Sequence, residues 1–276
     1  MTRYRSIAVA LSSLLLFACK LYDKVAVQEL PLSTATTSRI KFHNFSPGSV
    51  GVNFFANDMK MTAISSTRCS PNTGAVVPAD TAACHTTGIE STNGVAYKSL
   101  GSGGLYDAIA PGQYTLTAKL ATDQTVVSTV TQAIEDGKYY SFFMSGVYNS
   151  TAKTAEAFVI EDPIPTGIDF STAYVRLVNA VSNATGDLTL FVKPTGSTSA
   201  PVALGGAVAY KAAGTFMALP EGVYDLEARY TGAAGPVTGL TLTTQSFFGG
   251  RVYTITSLGN TASSTTMSLN NTANQQ

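Results

Sequence analysis

From Arg39 onward, apolar and polar residues alternate along the chain. Ile40 and Phe42 interleave with Lys41 and His43, and Tyr114, Leu116 and Ala118 with Thr115, Thr117 and Lys119. Tyr224, Leu226, Ala228 and Tyr230 interleave in the same way with Asp225, Glu227 and Arg229. A period of two sets one side of a segment on a core and the other in water, which is the signature of a half-buried antiparallel strand. No window carries the period of a long amphipathic helix. Gly, Pro and Asn fall between the runs at short intervals, so the predicted fold class is all-β, built from antiparallel β-sandwiches of immunoglobulin-like type.

The pattern occurs twice. Ile40-Lys41-Phe42-His43-Asn44 matches Val175-Arg176-Leu177-Val178-Asn179, and Val52-Asn53-Phe54-Phe55-Ala56 matches Leu188-Thr189-Leu190-Phe191-Val192. Val95-Ala96-Tyr97-Lys98 recurs unchanged as Val208-Ala209-Tyr210-Lys211. Pro111-Gly112-Gln113-Tyr114 is answered by Pro220-Glu221-Gly222-Val223-Tyr224, and Gly137-Lys138-Tyr139-Tyr140 by Gly250-Arg251-Val252-Tyr253. Blocks repeated in one order mark a tandem duplication. Residues 39–161 make the first predicted sandwich, with an insertion at 65–93, and residues 170–270 the second. The connector, 162–169, holds Pro163 and Pro165, which favour a stiff extended link. Each half is expected to bury its own strands with few contacts across the connector, and residues 271–276 to fray. In the Pro-Gly-Tyr blocks, proline sets φ for a turn and the tyrosine starts a strand with its ring inward and its hydroxyl free for a backbone partner. A tyrosine platform for stacking sugars is the functional alternative there.

The N-terminus reads as a targeting segment. Arg3 and Arg5 precede an apolar stretch from Ile7 to Ala18 of about 12 residues, too short for the roughly 20 that span a bilayer. Residues 1–18 are therefore expected to be a cleaved signal peptide. Leu16-Phe17-Ala18-Cys19 resembles the bacterial lipobox, in which the cysteine is acylated and becomes the new N-terminus. Several acyl chains anchor firmly where one holds only marginally. A plain secretory leader cleaved elsewhere is the competing reading. Lys20 stands where an aspartate retains some lipoproteins at the inner membrane, so the expected location is the bacterial cell envelope at the outer membrane. Residues 19–38, rich in Ser and Thr, read as a flexible tether. Charge adds little: 17 basic and 17 acidic residues balance, and no Lys/Arg cluster offers the basic face that nucleic acid requires.

Ile40-Lys41-Phe42-His43-Asn44-Phe45-Ser46-Pro47, Pro111-Gly112-Gln113-Tyr114 and Gly137-Lys138-Tyr139-Tyr140 together resemble the DUF4397 family, domains of unknown function in bacterial envelope and secreted proteins. The second copy is fainter at its start, with Ser182-Asn183 where Ser-Pro is expected, and fits well at Pro220 to Tyr224 and Gly250 to Tyr253. The resemblance covers nearly all of residues 39–270 and implies two tandem sandwiches in an envelope setting. It implies no catalytic residue.

Cys69 and Cys84 lie in the insertion and close a loop of about 15 residues. In an oxidising envelope, with Cys19 taken by lipid, these two are expected to pair, and the link would stabilise by about 3 kcal/mol. A metal site from Cys69, Cys84 and His85 lacks a fourth ligand and has poor spacing. Catalysis is hard to place. His43 sits on an opening strand, expected outward or hydrogen-bonded at a sandwich edge, and Ser102 in Gly101-Ser102-Gly103-Gly104 reads as a flexible hairpin rather than a phosphate loop. Asp187, Asp225 and Glu227 could be assembled into a carboxylate pair, but Asp225 and Glu227 fall on the polar face of one strand. The expected function is a non-catalytic, structural or ligand-binding envelope lipoprotein, without metal or cofactor. Its expected partners are the membrane, through the lipid anchor, and an envelope glycan or protein. An envelope hydrolase with an unrecognised active site is the alternative.

Overall fold

The structure, a computed structural model, describes residues 38–62, 64–65, 89–90 and 94–274. Cys19, Cys69, Cys84 and His85 lie outside the described residues. The first half contains β1 (Ser38–Asn44), β2 (Val52–Ala56), β3 (Met59–Lys60), β4 (Ile64–Ser65), β5 (Ile89–Glu90) and β6 (Ser99–Leu100). It continues with β7 (Asp107–Ile109), β8 (Gly112–Leu120), β9 (Val126–Ile134), β10 (Tyr139–Asn149) and β11 (Thr154–Glu161). The second half contains β12 (Thr172–Val181), β13 (Leu188–Pro194), β14 (Val202–Ala203) and β15 (Met217–Pro220). It ends with β16 (Gly222–Tyr230), β17 (Thr241–Phe247), β18 (Val252–Asn260) and β19 (Ser263–Ala273). Among the described residues no helix is long and apolar enough to cross a membrane.

The fold is all-β, with two facing sheets in each half and, in the first, a separate two-stranded β4-β5 sheet. In the first, β11-β10-β1-β6, with β7 also on β1, faces β3-β2-β8-β9; in the second, β15-β12-β18-β19 faces β14-β13-β16-β17. Ile40, Phe42, Phe54, Leu116 and Phe142 fill the first core, and Val175, Leu177, Leu190, Leu226 and Ile255 the second. These are the apolar members of the alternating runs, each from one face of its strand. Tyr224 behaves as expected of its block, nearly buried with its hydroxyl donating to the Pro220 carbonyl at 3.0 Å.

Four expectations need correction. First, pairing is not wholly antiparallel: β1 runs parallel to β10 and β12 parallel to β18, in matching register. Alternation is blind to strand direction, so this was not readable. Second, the polar face of the opening strands is not in water. Lys41 is 0% exposed, and His43 and Arg176 are buried as well. Third, the halves touch extensively. Phe45, Phe143 and Phe158 of the first pack with Val178, Ala180 and Leu258 of the second in a third apolar cluster. Burying each phenylalanine contributes about 2 kcal/mol, so the outer face of each opening sheet is the other half's lid. Fourth, the chain does not fray from 271. β19 pairs with β18 through Ala273, and the Asn274 amide N–H donates to the Val252 carbonyl at 2.8 Å.

Both halves turn the same end of their strands to the connector. The Arg39 amide donates to the Lys138 carbonyl and the Asp162 amide to the Tyr139 carbonyl; in the second half the Tyr174 amide donates to Arg251 and that of Gly250 to Thr172. Two open clefts of about 440 and 460 Å³ flank the connector, and both are lined by Ile164 and Ile168.

The shared face makes a prediction. Halves separated at the connector and expressed apart each bare the surface built around Phe143 or Leu258. We expect them to combine one to one on mixing, measured by analytical ultracentrifugation. Two stable monomers that ignore each other would show that the face needs no cover.

Candidate functional site

The concentration of polar chemistry lies between the halves. Repeat and register equate Lys41 with Arg176, Ser141 with Thr254, Tyr106 with Phe216, and Asp162 with Asn274. Each opening-strand cation reaches across to the residue that follows the other half's last strand. The Arg176 Nη2 binds Asp162 Oδ1, while Lys41 Nζ donates to Asn274 Oδ1 at 3.2 Å and to the Ala273 carbonyl at 3.4 Å. Each cation also lies over the aromatic ring of its own half. Lys41 Nζ is 4.2 Å from the centre of Tyr106, and the Arg176 guanidinium carbon 4.5 Å from that of Phe216. The arrangement is a pseudo-two-fold one, as in an isologous dimer.

Asp162 is fully engaged. Its Oδ2 accepts from the Tyr106 hydroxyl and the Ser141 hydroxyl, both at 2.7 Å. Arg176 also donates through Nη1 to the Glu161 carbonyl and through Nε to Thr254 Oγ1, both at 3.2 Å, and Asn274 Nδ2 donates to the same Thr254 oxygen at 2.8 Å. One carboxylate faces two basic side chains, so the cluster is short of negative charge. Burial pushes Lys41 down from 10.5 to about 8, partly offset by Asp162 and reinforced by Arg176. Burial also raises the Tyr106 hydroxyl, with Asp162 adding to it.

The repeated Val-Ala-Tyr-Lys block is explained here. Asn44 Nδ2 donates to the Val95 carbonyl at 2.9 Å and Asn179 Nδ2 to that of Val208 at 3.0 Å. The chain then turns through Lys98 and Lys211 at positive φ, 64° and 65°. That turn sends each tyrosine into the other half. Tyr97 donates to the Thr266 carbonyl at 3.0 Å, and Tyr210 donates to Glu156 Oε2 while meeting the Ser145 hydroxyl, both at 2.9 Å. Burial lifts Tyr97 from 10.0 to about 12. Sequence reasoning passed over these tyrosines. The signal was the unchanged repetition of a tyrosine where a core needs only the valine.

His43 is neither outward nor hydrogen-bonded. It stacks on Phe143 with ring centres 4.3 Å apart, and neither ring nitrogen has a partner. Burial, then Lys41 and Arg176, hold it well below its ordinary 6.5. An unpaired buried donor costs about 1–3 kcal/mol. Ser102 sits at a φ of 48° in the turn Gly101–Gly104 and donates to both Asp107 oxygens at 2.8 and 2.9 Å. Burial raises Asp107 from 3.8 to about 6, against the Ser102 hydrogen bond. Asp225 and Glu227 are not brought together for chemistry: Asp225 accepts from Thr195 and the Thr244 amide, and Glu227 pairs with Arg229. Among the described residues no cluster of His, Cys, Asp and Glu could hold a metal ion.

No family model and no curated protein matches the chain. Among solved structures it is similar to the Bacillus anthracis TIE protein, with 9% identity and a TM-score of 0.23, over 82% of this chain and 34% of that one. The chain thus spans about a third of that protein's length, and a likeness this low carries no argument.

Two outcomes follow from the buried cluster. Asp162→Ala strands Arg176, Tyr106 and Ser141, and should lower stability by about 3–5 kcal/mol in urea titration. Replacing both partners, Arg176→Met with Asp162→Leu, should cost less than Asp162→Ala alone; a larger loss would mean that the pair itself supplies net stability. His43 is held neutral in the folded chain while the unfolded chain titrates near 6.5. Its contribution is therefore complete above that pH and is lost as pH falls below it, by up to about 1.4 kcal/mol per unit, until the depressed folded pKa is reached. His43→Leu should remove that part of the acid slope, and an unchanged slope would assign it to other groups.

Proposed function

We propose that the chain is a non-catalytic, lipid-anchored envelope protein that displays its two sandwiches as one body at the bacterial outer membrane, with sandwiches of the DUF4397 kind. The observation that carries this reading is the fate of the reactive side chains. Lys41, Tyr106, Ser141, Asp162 and Arg176 carry the groups from which a catalytic site could be drawn, and they are spent on holding the halves together. Lys41, Asp162 and Arg176 are at most 2% exposed, and their polar atoms are already engaged within the cluster. What such a body offers a partner is its loops, where change leaves the cores intact. The lipobox-like run before Cys19 supports the anchor, and the tether after it supports display at a distance from the bilayer. The insertion carries a Cys69–Cys84 disulfide in this reading, outside both cores.

Detergent phase partitioning of wild type against Cys19→Ser tests the anchor, and mass spectrometry of the native protein should find acyl chains on Cys19. Retention of the substituted protein in the detergent phase would reject it. Peptides prepared without reductant should show residues 69 and 84 linked, and free thiols there would reject the disulfide. Envelope polysaccharides offered to the purified protein should be bound or ignored but never cleaved; cleavage would establish the hydrolase instead.

A further inference from the structure

The duplication supplies its own control for what the fold requires. The β9–β10 turn reads Glu135-Asp136-Gly137-Lys138, and the equivalent β17–β18 turn reads Phe248-Gly249-Gly250-Arg251. Both close alike. The amides of Glu135 and Phe248 each donate to a following tyrosine hydroxyl, Tyr140 or Tyr253, at 3.1 Å, and Gly137 and Gly250 take φ of 69° and 73°. The turn thus needs its glycine and its tyrosine but no aromatic at its head. Phe248 nevertheless stands there, 56% exposed, with the Arg251 guanidinium 5.2 Å from its ring centre.

Phe170, in the turn that leads into β12, lies beside this turn and is 81% exposed. Its ring lies against Gly250, where a Cβ would come within 2.6 Å of it. Single exposed apolar residues are ordinary, but two phenylalanines brought to one place by adjoining turns, Phe170 against Gly249 and Gly250 and Phe248 next to them in the chain, form a patch. The patch lies at the connector end, where β1 begins and where the tether from Cys19 joins the body at Ser38.

We propose that this end docks on the lipid surface to which Cys19 is anchored, with Phe170 and Phe248 entering the interfacial zone of the bilayer. The proposal rests on the lipid-anchor reading. On the tether reading, a coil of about 19 residues would have a mean reach of roughly 25 Å and would hold this end near the bilayer at an effective concentration in the millimolar range. A contact too weak for a free protein is then populated. The charges at this end carry both signs and neither prevails: Arg251 stands beside Phe248 and Lys138 is paired with Glu135 and Glu161, against acidic Asp136 and Asp169. The contact should therefore be apolar in kind and insensitive to salt.

The chain has no tryptophan, so Phe170→Trp and Phe248→Trp each create a single reporter. Val147→Trp places one at the far end of β10, where Tyr148 bonds to Pro47. The acylated proteins are reconstituted on phosphatidylcholine vesicles with brominated acyl chains. A second arm uses the chain from Lys20 with an N-terminal hexahistidine, held on nickel-chelating lipid in the same vesicles. Emission from positions 170 and 248 should shift to the blue and fall at least about twofold in the second arm, unchanged by half-molar salt, while position 147 stays unquenched. Adding Phe248→Glu, the residue of the first copy, should weaken quenching at position 170. If the acylated arm fails to bind while the nickel arm is quenched, the anchor reading falls and the docking end stands. Tethered protein without quenching at 170 and 248, equal quenching at 147, or a spectral shift produced only by soluble glycan overturns the proposal.

Discussion

The one carboxylate of Asp162, shared between two halves that each bring a cation, is the constraint on which the rest depends. Asp162 closes the first half through its amide on Tyr139 and opens the connector, while its side chain takes Arg176 from the first strand of the second half. Where the connector starts and where β12 lies are therefore settled by one residue. Ser141 and Tyr106 complete its hydrogen bonding. Buried charges are tolerated when so satisfied, yet they contribute little net stability compared with apolar residues of the same size. Their effect here is positional. Phenylalanines 45, 143 and 158 attract any apolar surface without direction, whereas Arg176, Asp162 and the crossing tyrosines accept one register.

The interface is the pairing of two equivalent faces, and its asymmetries are local. Where one crossing joins Arg176 to Asp162, the other joins Lys41 to Asn274. A second carboxylate in place of Asn274 would balance the charge; the amide leaves it unbalanced, so burial, reinforced by Arg176, depresses the pKa of Lys41 with only Asp162 to offset it. His43 faces Phe143 where the second half has Val178 at the equivalent place. One half thus carries the titratable and polar excess of a face that the other half keeps apolar.

Much of this fold was legible in the sequence. Alternation over 114–119 and 224–230 located β8 and β16, because one face of each lies on a core while most of the other stays at least partly exposed, Thr117 excepted. The repeated blocks identified the duplication because a shared backbone asks for the same asparagine, turn and tyrosine in both copies. What stayed hidden followed from one physical ambiguity. A polar residue at every second position reads as a water-facing one, and nothing local distinguishes water from a second protein surface lined with Asp162 or Asn274. Lys41, His43 and Arg176 were misplaced for that reason. The continuation of β19 through Ala273 was hidden by the same effect, since Asn270, Asn271, Thr272 and Asn274 resemble a frayed tail until their partners on β18 are seen.

A duplicated chain separates the demands of folding from those of function in a way a single domain cannot. Residues that recur at equivalent places, such as Asn44 with Asn179, Tyr140 with Tyr253 and Lys98 with Lys211, are bound by the backbone both copies share. Residues that differ at places where both copies build the same turn are free of that demand. Glu135 and Phe248 head two turns of one geometry, so the aromatic ring answers to something other than the turn. The same reasoning applies to residues 65–93, an insertion with no counterpart in the second copy. The buried chemistry, by contrast, is nearly the same in kind on both sides of the pseudo-axis and belongs to the scaffold. Selective pressure specific to this chain is thus to be sought at the exposed positions where the copies disagree.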